Sequence, residues 1–360
     1  MSRPPVAHDD TLTGWLAANA AALDTAPTLA HEVLPRLAAA GLVAVGVPAS
    51  QGGAGGTLGD AVEAIAAAST QSLAAGFVLW GHRSYVEYLL QSPNAALRDH
   101  LLPDLLAGHL AGATGLSNAM KFLSGLEELQ ITARPDGDGL RLDGRMPWVT
   151  NLRPAAFHVA AAVARAEGGA FVATLASDDS GLERSGDLDL MALRGTNTAA
   201  ISVKDVRIAP NRIIAPDAAA WLPRVRPAFL GLQCGLSMGL ARRALAEAET
   251  CAGPGRAVLA GPRAALAAAL AEQEATLADG LKAGTFLADP AALFRIRIAL
   301  SDIATSAVGL ELQAAGGRAY LSQPGAGFAR RWREAAFIPV ITPSLVQLKS
   351  ALAAQRQSAA

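Results

Sequence analysis

The stretch LQITARPDGDGLRLDGRMPWVTN, residues 129–151, decides the fold. Apolar and polar positions alternate on both sides of Asp136-Gly137, an Asp-Gly pair of the kind that closes a tight turn between antiparallel strands. Three later segments read the same way: HVAAAVA (158–164), AFVATLA (170–176) and AAISVKDVRIA (199–209). Gly168-Gly169, Asp178-Asp179-Ser180-Gly181 and Gly195-Thr196-Asn197 separate them as turn signals. A compact antiparallel β domain is therefore predicted over residues 113–210.

Both flanks have helical texture. On the N-terminal side, Leu34, Leu37, Leu42 and Val45 recur at helical intervals that Gly41 interrupts. The loop VPASQGGAGGTLGD (47–60) follows. A helix is predicted over 61–75 with Val62, Ile65, Ala66 and Leu73 inward, and another runs through Tyr85, Tyr88 and Leu89 to a turn at Ser92-Pro93-Asn94. On the C-terminal side, helices are predicted over 228–250, 263–283 and 290–315, with CAGPGR (251–256) and GTFLADP (284–290) as turns. The class is α+β without internal repeats. A helical domain (1–112) and a C-terminal helical bundle (211–360) flank the β domain and are predicted to pack on each other.

Composition limits the function. Hydrophobic residues are 51% of the 360 and charged residues 17%, below the usual share of about 25%. The chain can bury a large core, and its low charge predicts surface hidden between subunits. Lys and Arg total 30 against 31 Asp and Glu, a formal charge of −1. No overall field draws nucleic acid or an anionic membrane to it. Two cysteines, Cys234 and Cys251, exclude a disulfide scaffold and a multi-cysteine zinc site. The start, MSRPPVAHDD, lacks a signal-peptide layout, and the uncharged stretches 37–59 and 64–81 are broken by Pro48 and glycines and by Ser69-Thr70-Gln71-Ser72. A soluble cytoplasmic protein is expected.

The order of these segments, with several local motifs, resembles the acyl-CoA dehydrogenase superfamily of flavoproteins from about Leu34 to Leu348. GLVAVGVPASQGGAGGTLGD (41–60) resembles its N-terminal glycine-rich loop, and DGRMPWVTN (143–151) its strand ending in Trp-x-Thr-Asn. LRGTNTAAISVKDVRIAP (193–210) resembles the strands that close its β domain, GLARRALAEA (239–248) its first long C-terminal helix, and LQAAGG (312–317) its Gln-x-x-Gly-Gly turn. The resemblance implies a helical domain, an antiparallel β-barrel and a four-helix bundle. It also implies bound FAD, with FMN the alternative, and a homodimer or homotetramer acting on a small molecule such as an acyl-CoA.

Residue roles follow from the resemblance. Trp148 is a flat wall for the flavin ring and Thr150 a hydroxyl near its reactive nitrogen. Asn118 and Ser124, in GATGLSNAMKFLSG (112–125), fall where the family has a threonine and a serine facing the cofactor. Arg256, Gln313, Gly316 and Gly317 match groups at the adenosine half of FAD, the last three reaching a neighbouring subunit's cofactor, and Ser344 is a further candidate. Leu259, Ala260 and the intruding Gly253-Pro254-Gly255 depart from the arginine motif, which leaves FMN open. His82, in WGH, is the titratable group closest to neutral pH.

The family's base is absent. Arg333-Glu334-Ala335 matches the lead-in to the catalytic glutamate, but the motif position reads Ile341-Thr342-Pro343-Ser344. Thr342 is no base at neutral pH without an activating group. The alternative position, residues 223–226, has no carboxylate either, and Glu334 reads as a structural ion-pair residue. Three readings stay open: a thioester dehydrogenase with an unrecognised base, a flavin monooxygenase of the same fold, and a catalytically silent binding subunit; His82, Asn118 and Thr342 are the candidate catalytic residues. His82, Asn118 and Pro343 resemble positions in the dibenzothiophene monooxygenases, which carry a histidine where this chain has Ile341.

Overall fold

The computed structural model describes residues 10–123, 127–251, 253 and 255–358. Five helices come first: α1 (Asp10–Thr25), α2 (Ala30–Ala39), α3 (Leu58–Gln71), α4 (Leu73–Leu90) and α5 (Ala95–Leu106). A capping box opens α3: the Thr57 hydroxyl accepts from Asp60 N and Asp60 Oδ2 accepts from Thr57 N at 2.8 Å. The single helix predicted over 61–75 is two helices. Ser72 is extended (φ −152°, ψ 117°), and its hydroxyl accepts from Ala75 N to start α4. A side chain on Gly76 would put Cβ 1.9 Å from Ser69 Oγ, so the elbow is too tight for one.

Helix α4 is buried nearly all round, as its continuous apolar sequence requires. It ties the layers together through polar tips on apolar side chains. Tyr85 Oη pairs with Thr174 Oγ1 at 2.7 Å, Tyr88 Oη pairs with Thr114 Oγ1 at 2.8 Å, and Trp80 Nε1 donates to Phe229 O at 3.4 Å.

The sheet has eight strands: β1 (Ala111–Thr114), β2 (Ile131–Asp136), β3 (Gly139–Val149), β4 (Phe157–Arg165), β5 (Ala170–Ala176), β6 (Leu182–Arg184), β7 (Ala199–Ile208) and β8 (Ile213–Ala215). Their order is β6-β7-β3-β2-β4-β5-β8, with β1 sharing one side of β4 with β2. Two findings correct the prediction. The barrel is an open sheet, since β6 and β8 end it without pairing to each other among the described residues. It is also mixed rather than antiparallel, because β1 and β2 both run parallel to β4. Strands β4 and β5 are apolar runs with both faces covered, which is why they lack the alternation of β2 and β3.

Helix α6 (Ser117–Leu123) links β1 to β2, and six helices follow the sheet: α7 (Ala218–Thr250), α8 (Ala260–Ala283), α9 (Thr285–Ala288), α10 (Pro290–Ala315), α11 (Ala326–Phe337) and α12 (Leu345–Ser358). The start of α7 precedes the predicted residue 228 because Pro223 and Pro227 lie inside the helix, and Asp217 caps it. The predicted turn 284–290 contains α9. Helices α7, α8 and α10 pack on one another and α12 lies on α10. Helix α7 also packs along α3, so the C-terminal bundle is continuous with the N-terminal helices. Gly235 and Gly239 permit this approach: a Cβ there would sit 2.6 Å from Val62 O and 2.3 Å from Ala66 O.

Residues 326–357 are long and apolar enough by composition to cross a membrane. They form two helices separated by the turn Ile338–Val340 and by Pro343, and α11 buries Arg330 paired with Glu334 and Arg331 paired with Glu311 of α10.

Candidate functional site

Trp148 owes its position to Pro147. Proline has no N–H for the ladder, and the β3–β7 register slips there. Met146 pairs with Ile201 and Val149 with Ala199, so three steps on β3 oppose two on β7. The extra residue puts Met146 and Val149 inward and turns Trp148 out. The indole is 62% exposed and makes no hydrogen bond or ring contact within the described chain. Beside it Thr150 is buried, its hydroxyl donating to Thr196 O at 3.3 Å and its methyl lying against Gly81, where a Cβ would be 2.9 Å away. Asn151 takes a left-handed φ of 62° and donates through Nδ2 to Gly112 O at 2.9 Å. The Trp148 indole is a free flat aromatic face of the kind a flavin ring stacks on, and two residues along the chain the Thr150 hydroxyl is anchored.

A narrow cleft opens where four helices meet. Met120 and Leu123 of α6, Arg226 of α7, Phe294 of α10, Pro343, and Gln347 and Leu348 of α12 line it. The preceding segment is held by its carbonyls. Gln233 Nε2 donates to Thr342 O at 3.1 Å, Arg297 Nη2 donates to Ile338 O at 2.8 Å, and Arg297 Nε donates to Gln233 Oε1 at 2.7 Å. Arg297 is fully buried with neutral partners, and burial lowers its pKa. Burial also pushes the Cys234 thiol up to about 12, which rules out a reactive thiolate at neutral pH. No carboxylate and no histidine lines the cleft among the described residues.

Several expected site residues are occupied elsewhere. His82 is fully buried; its Nε2–H donates to Leu105 O at 3.0 Å, and Nδ1 accepts from Gly112 N at 3.1 Å. Burial pushes its pKa down to about 3. Both ring nitrogens serve backbone at the α4–α5–β1 junction, leaving no lone pair for a substrate proton. Asn118 closes its own loop: Nδ2 donates to Glu127 Oε2 and Glu128 O, and Oδ1 accepts from Gln130 N at 2.9 Å. Neither residue is placed for the catalytic role that the sequence reading gave it. Ser344 forms a capping box at the start of α12, its N–H donating to Gln347 Oε1 at 2.6 Å and its hydroxyl accepting from Gln347 N. Thr342 is half-buried and anchored through its carbonyl. Ser124 lies outside the described residues.

Arg256 and Gly316 are neighbours. Arg256 Nη2 lies 3.5 Å from where a Gly316 Cβ would stand, and Gly316 has a φ of 62° that favours glycine. Gly317 faces open space, and Gln313 is exposed, donating to Gly309 O in its own helix. Arg256 also lines a groove with Ala248, Leu259, Leu310 and Ala314. This group is far from the cleft, because α7 between Arg226 and Thr250 spans roughly 36 Å at 1.5 Å per residue. The cleft and the Arg256–Gly316 group are therefore two separate places on one chain.

Glu334 is buried, as its reading as an ion-pair residue requires. Oε1 accepts from Arg330 Nη1 at 2.6 Å and from Leu73 N at 3.1 Å, at the start of α4. Burial raises its pKa, and it does not line the cleft. The sequence reading missed Gln233, Arg297 and Gln347. Arg297 had a signal: a charge in an apolar helix at the inward register of Leu293, Phe294 and Leu300. The Ser-x-x-Gln spacing of Ser344 and Gln347 was a legible cap.

Residues 10–109 match the family described as acyl-CoA dehydrogenase, N-terminal domain. Butyryl-CoA dehydrogenase from Megasphaera elsdenii is similar at 18% identity, with 97% of each chain covered and a TM-score of 0.79. KijD3, solved in complex with FMN and a dTDP-linked amino keto sugar, shares 21% identity over 97% of this chain and 92% of that one, with a TM-score of 0.80. The dibenzothiophene monooxygenase TdsC from Paenibacillus sp. A11-2 shares 18% identity over 94% of this chain and 93% of that one, with a TM-score of 0.74. The chain has the acyl-CoA dehydrogenase fold over nearly its whole length.

Proposed function

We propose that the protein is a flavin-dependent oxidoreductase acting on an acyl thioester or a similar small organic substrate, without the carboxylate base of the fold's dehydrogenases. FAD is the proposed cofactor and FMN the alternative. Trp148 carries the reading: a proline-driven bulge aims a large, unpartnered aromatic outward beside Thr150 in this fold. A bound flavin supplies a two-electron acceptor there. With it bound, Trp148 would cover one face of the ring, and Thr150, its proton already given to Thr196 O, would be left with a lone pair to offer. The test is the visible spectrum of the purified protein. Trp148→Ala is expected to retain much less flavin per chain than the wild type. Equal retention and an unchanged spectrum count against this placement.

A second reading, oxygen transfer to the substrate, is favoured by the cleft itself. Its lining offers no group to take an α proton. Oxygen uptake with chemically reduced flavin, coupled to an oxygenated product, separates this reading from dehydrogenation.

The protein is also proposed to be a homo-oligomer. Arg256 and Gly316 lie far from the cleft in the same chain, which supports this, because a second chain can bring its Gln313–Gly317 turn to the first chain's cofactor. Exposed Trp332, Val340 and Val346, at 50%, 62% and 73%, supply apolar surface on α11, α12 and the turn between them. Light scattering is expected to give at least twice 36.7 kDa; a monomer at micromolar concentration removes the proposal.

A further inference from the structure

The cleft is lined by two residues, Arg226 and Gln347, each with a donor that finds no acceptor among the described residues. Arg226 is half-buried and forms no hydrogen bond or ion pair among the described residues, and its Nε is shielded from solvent. Its guanidinium carbon lies 5.5 Å from the centre of the Phe294 ring, and burial alone lowers its pKa. Gln347 Nε2 is likewise buried without an acceptor. The orientation of that amide is set by the helix cap. Oε1 accepts from Ser344 N at 2.6 Å, and the flipped amide would set donor against donor. The Nε2–H group is thereby held away from the cap.

Leaving Arg226 Nε and Gln347 Nε2 shielded from water without an acceptor is costly unless a ligand supplies one. The rest of the lining is apolar: Met120, Leu123, Leu348 and Ala351. Among the described residues no acidic side chain of the lining competes for the cation. An acceptor carrying one negative charge matches this set in charge, and an apolar body matches the rest of the lining in chemistry.

We propose that Arg226 and Gln347 bind a carboxylate group of the substrate, so that the substrate class is a small carboxylic acid or an acyl derivative bearing a free carboxylate. The assignment rests on the cleft being the substrate site of the proposed oxidoreductase. Neither residue transfers a proton; both position the substrate. Because the guanidinium stays protonated at all working pH values, carboxylate binding is expected to be flat above the ligand's own pKa.

The test uses the full-length protein as purified, with flavin content read from its spectrum and butyrate and butyramide as probes, their affinities measured by ligand-detected NMR. Butyrate is expected to bind more tightly than butyramide. Arg226→Gln is expected to weaken butyrate by about ten-fold or more and to leave butyramide unchanged. Gln347→Glu keeps the Oε1 cap on Ser344 but puts a carboxylate into the cleft that Arg226 lines, so it is expected to abolish the preference for butyrate without unfolding the chain. Equal affinity for the two probes in the wild type, or butyrate affinity retained in both variants, overturns the inference. The two proposals separate cleanly in this experiment. A flavin-free protein that binds butyrate through Arg226 loses the oxidoreductase reading and keeps the carboxylate site. A flavin-loaded protein with no preference for butyrate does the reverse.

Discussion

Butyryl-CoA and octanoyl-CoA, assayed with a dye acceptor, are expected to be oxidised on the order of 10²–10⁴-fold more slowly than by an enzyme of this fold with its carboxylate base, the usual worth of a positioned general base. The reason is local. The residues around Pro343 that line the cleft are Met120, Leu123, Arg226, Phe294, Gln347, Leu348 and Ala351, and none can take a proton from carbon at neutral pH. His82 is locked between two backbone groups, and Glu334 is held by Arg330 and the start of α4. Thr342→Glu is expected to raise the rate measurably, because it adds a carboxylate on a segment already anchored by Gln233 and Arg297. Burial works against it by favouring the protonated acid, so the wild-type assay is the sharper test. Fast wild-type turnover of either thioester would mean that a base operates outside the cleft described above.

Glu311→Ala is expected to destabilise the protein by about 3–5 kcal/mol, the cost of stranding a buried charge. Arg331 Nε donates to Glu311 Oε2 at 2.8 Å and Nη2 to Oε1, a two-pronged contact between α10 and α11 with both side chains at most 5% exposed. Removing Glu311 leaves the guanidinium with only Glu247, 4.0 Å away, as a carboxylate partner. Chemical denaturation monitored by far-ultraviolet circular dichroism measures the effect. The double variant Glu311→Leu with Arg331→Met is expected to recover most of the loss, since a buried pair replaced by apolar groups of similar volume is close to neutral. A loss below about 1 kcal/mol in the single variant, the worth of an exposed pair, would show that water reaches the site.

The α-β-α order was legible because strand alternation in residues 129–151 and helical spacing on either side are local properties. Helix α10 was predicted at its observed bounds, since a proline starts it and two glycines follow it. What was not legible depended on distant partners. Ser72 looked like an ordinary residue within an apolar run, and its extended backbone appears only where α4 turns back from α3. Parallel pairing of β1 and β2 with β4 leaves no mark on any one strand. For the site, the position of Trp148 was readable, but the bulge that frees it required the pairing with β7. Asn118 and His82 are residue types that can serve a ligand or a backbone, and only tertiary contacts show that backbone groups have taken both. The donors Arg226 and Gln347 come from helices more than a hundred residues apart, and no spacing in the chain connects them.

In the proposed function this fold holds a flavin but lacks the base for acyl-CoA dehydrogenation. The most direct measurement is the anaerobic visible spectrum of the purified protein, recorded alone, after excess butyryl-CoA, and after dithionite. The expected result is a flavin spectrum that butyryl-CoA leaves unbleached over minutes and that dithionite bleaches at once. A protein without flavin absorbance, or a flavin bleached by butyryl-CoA within the mixing time, would contradict it.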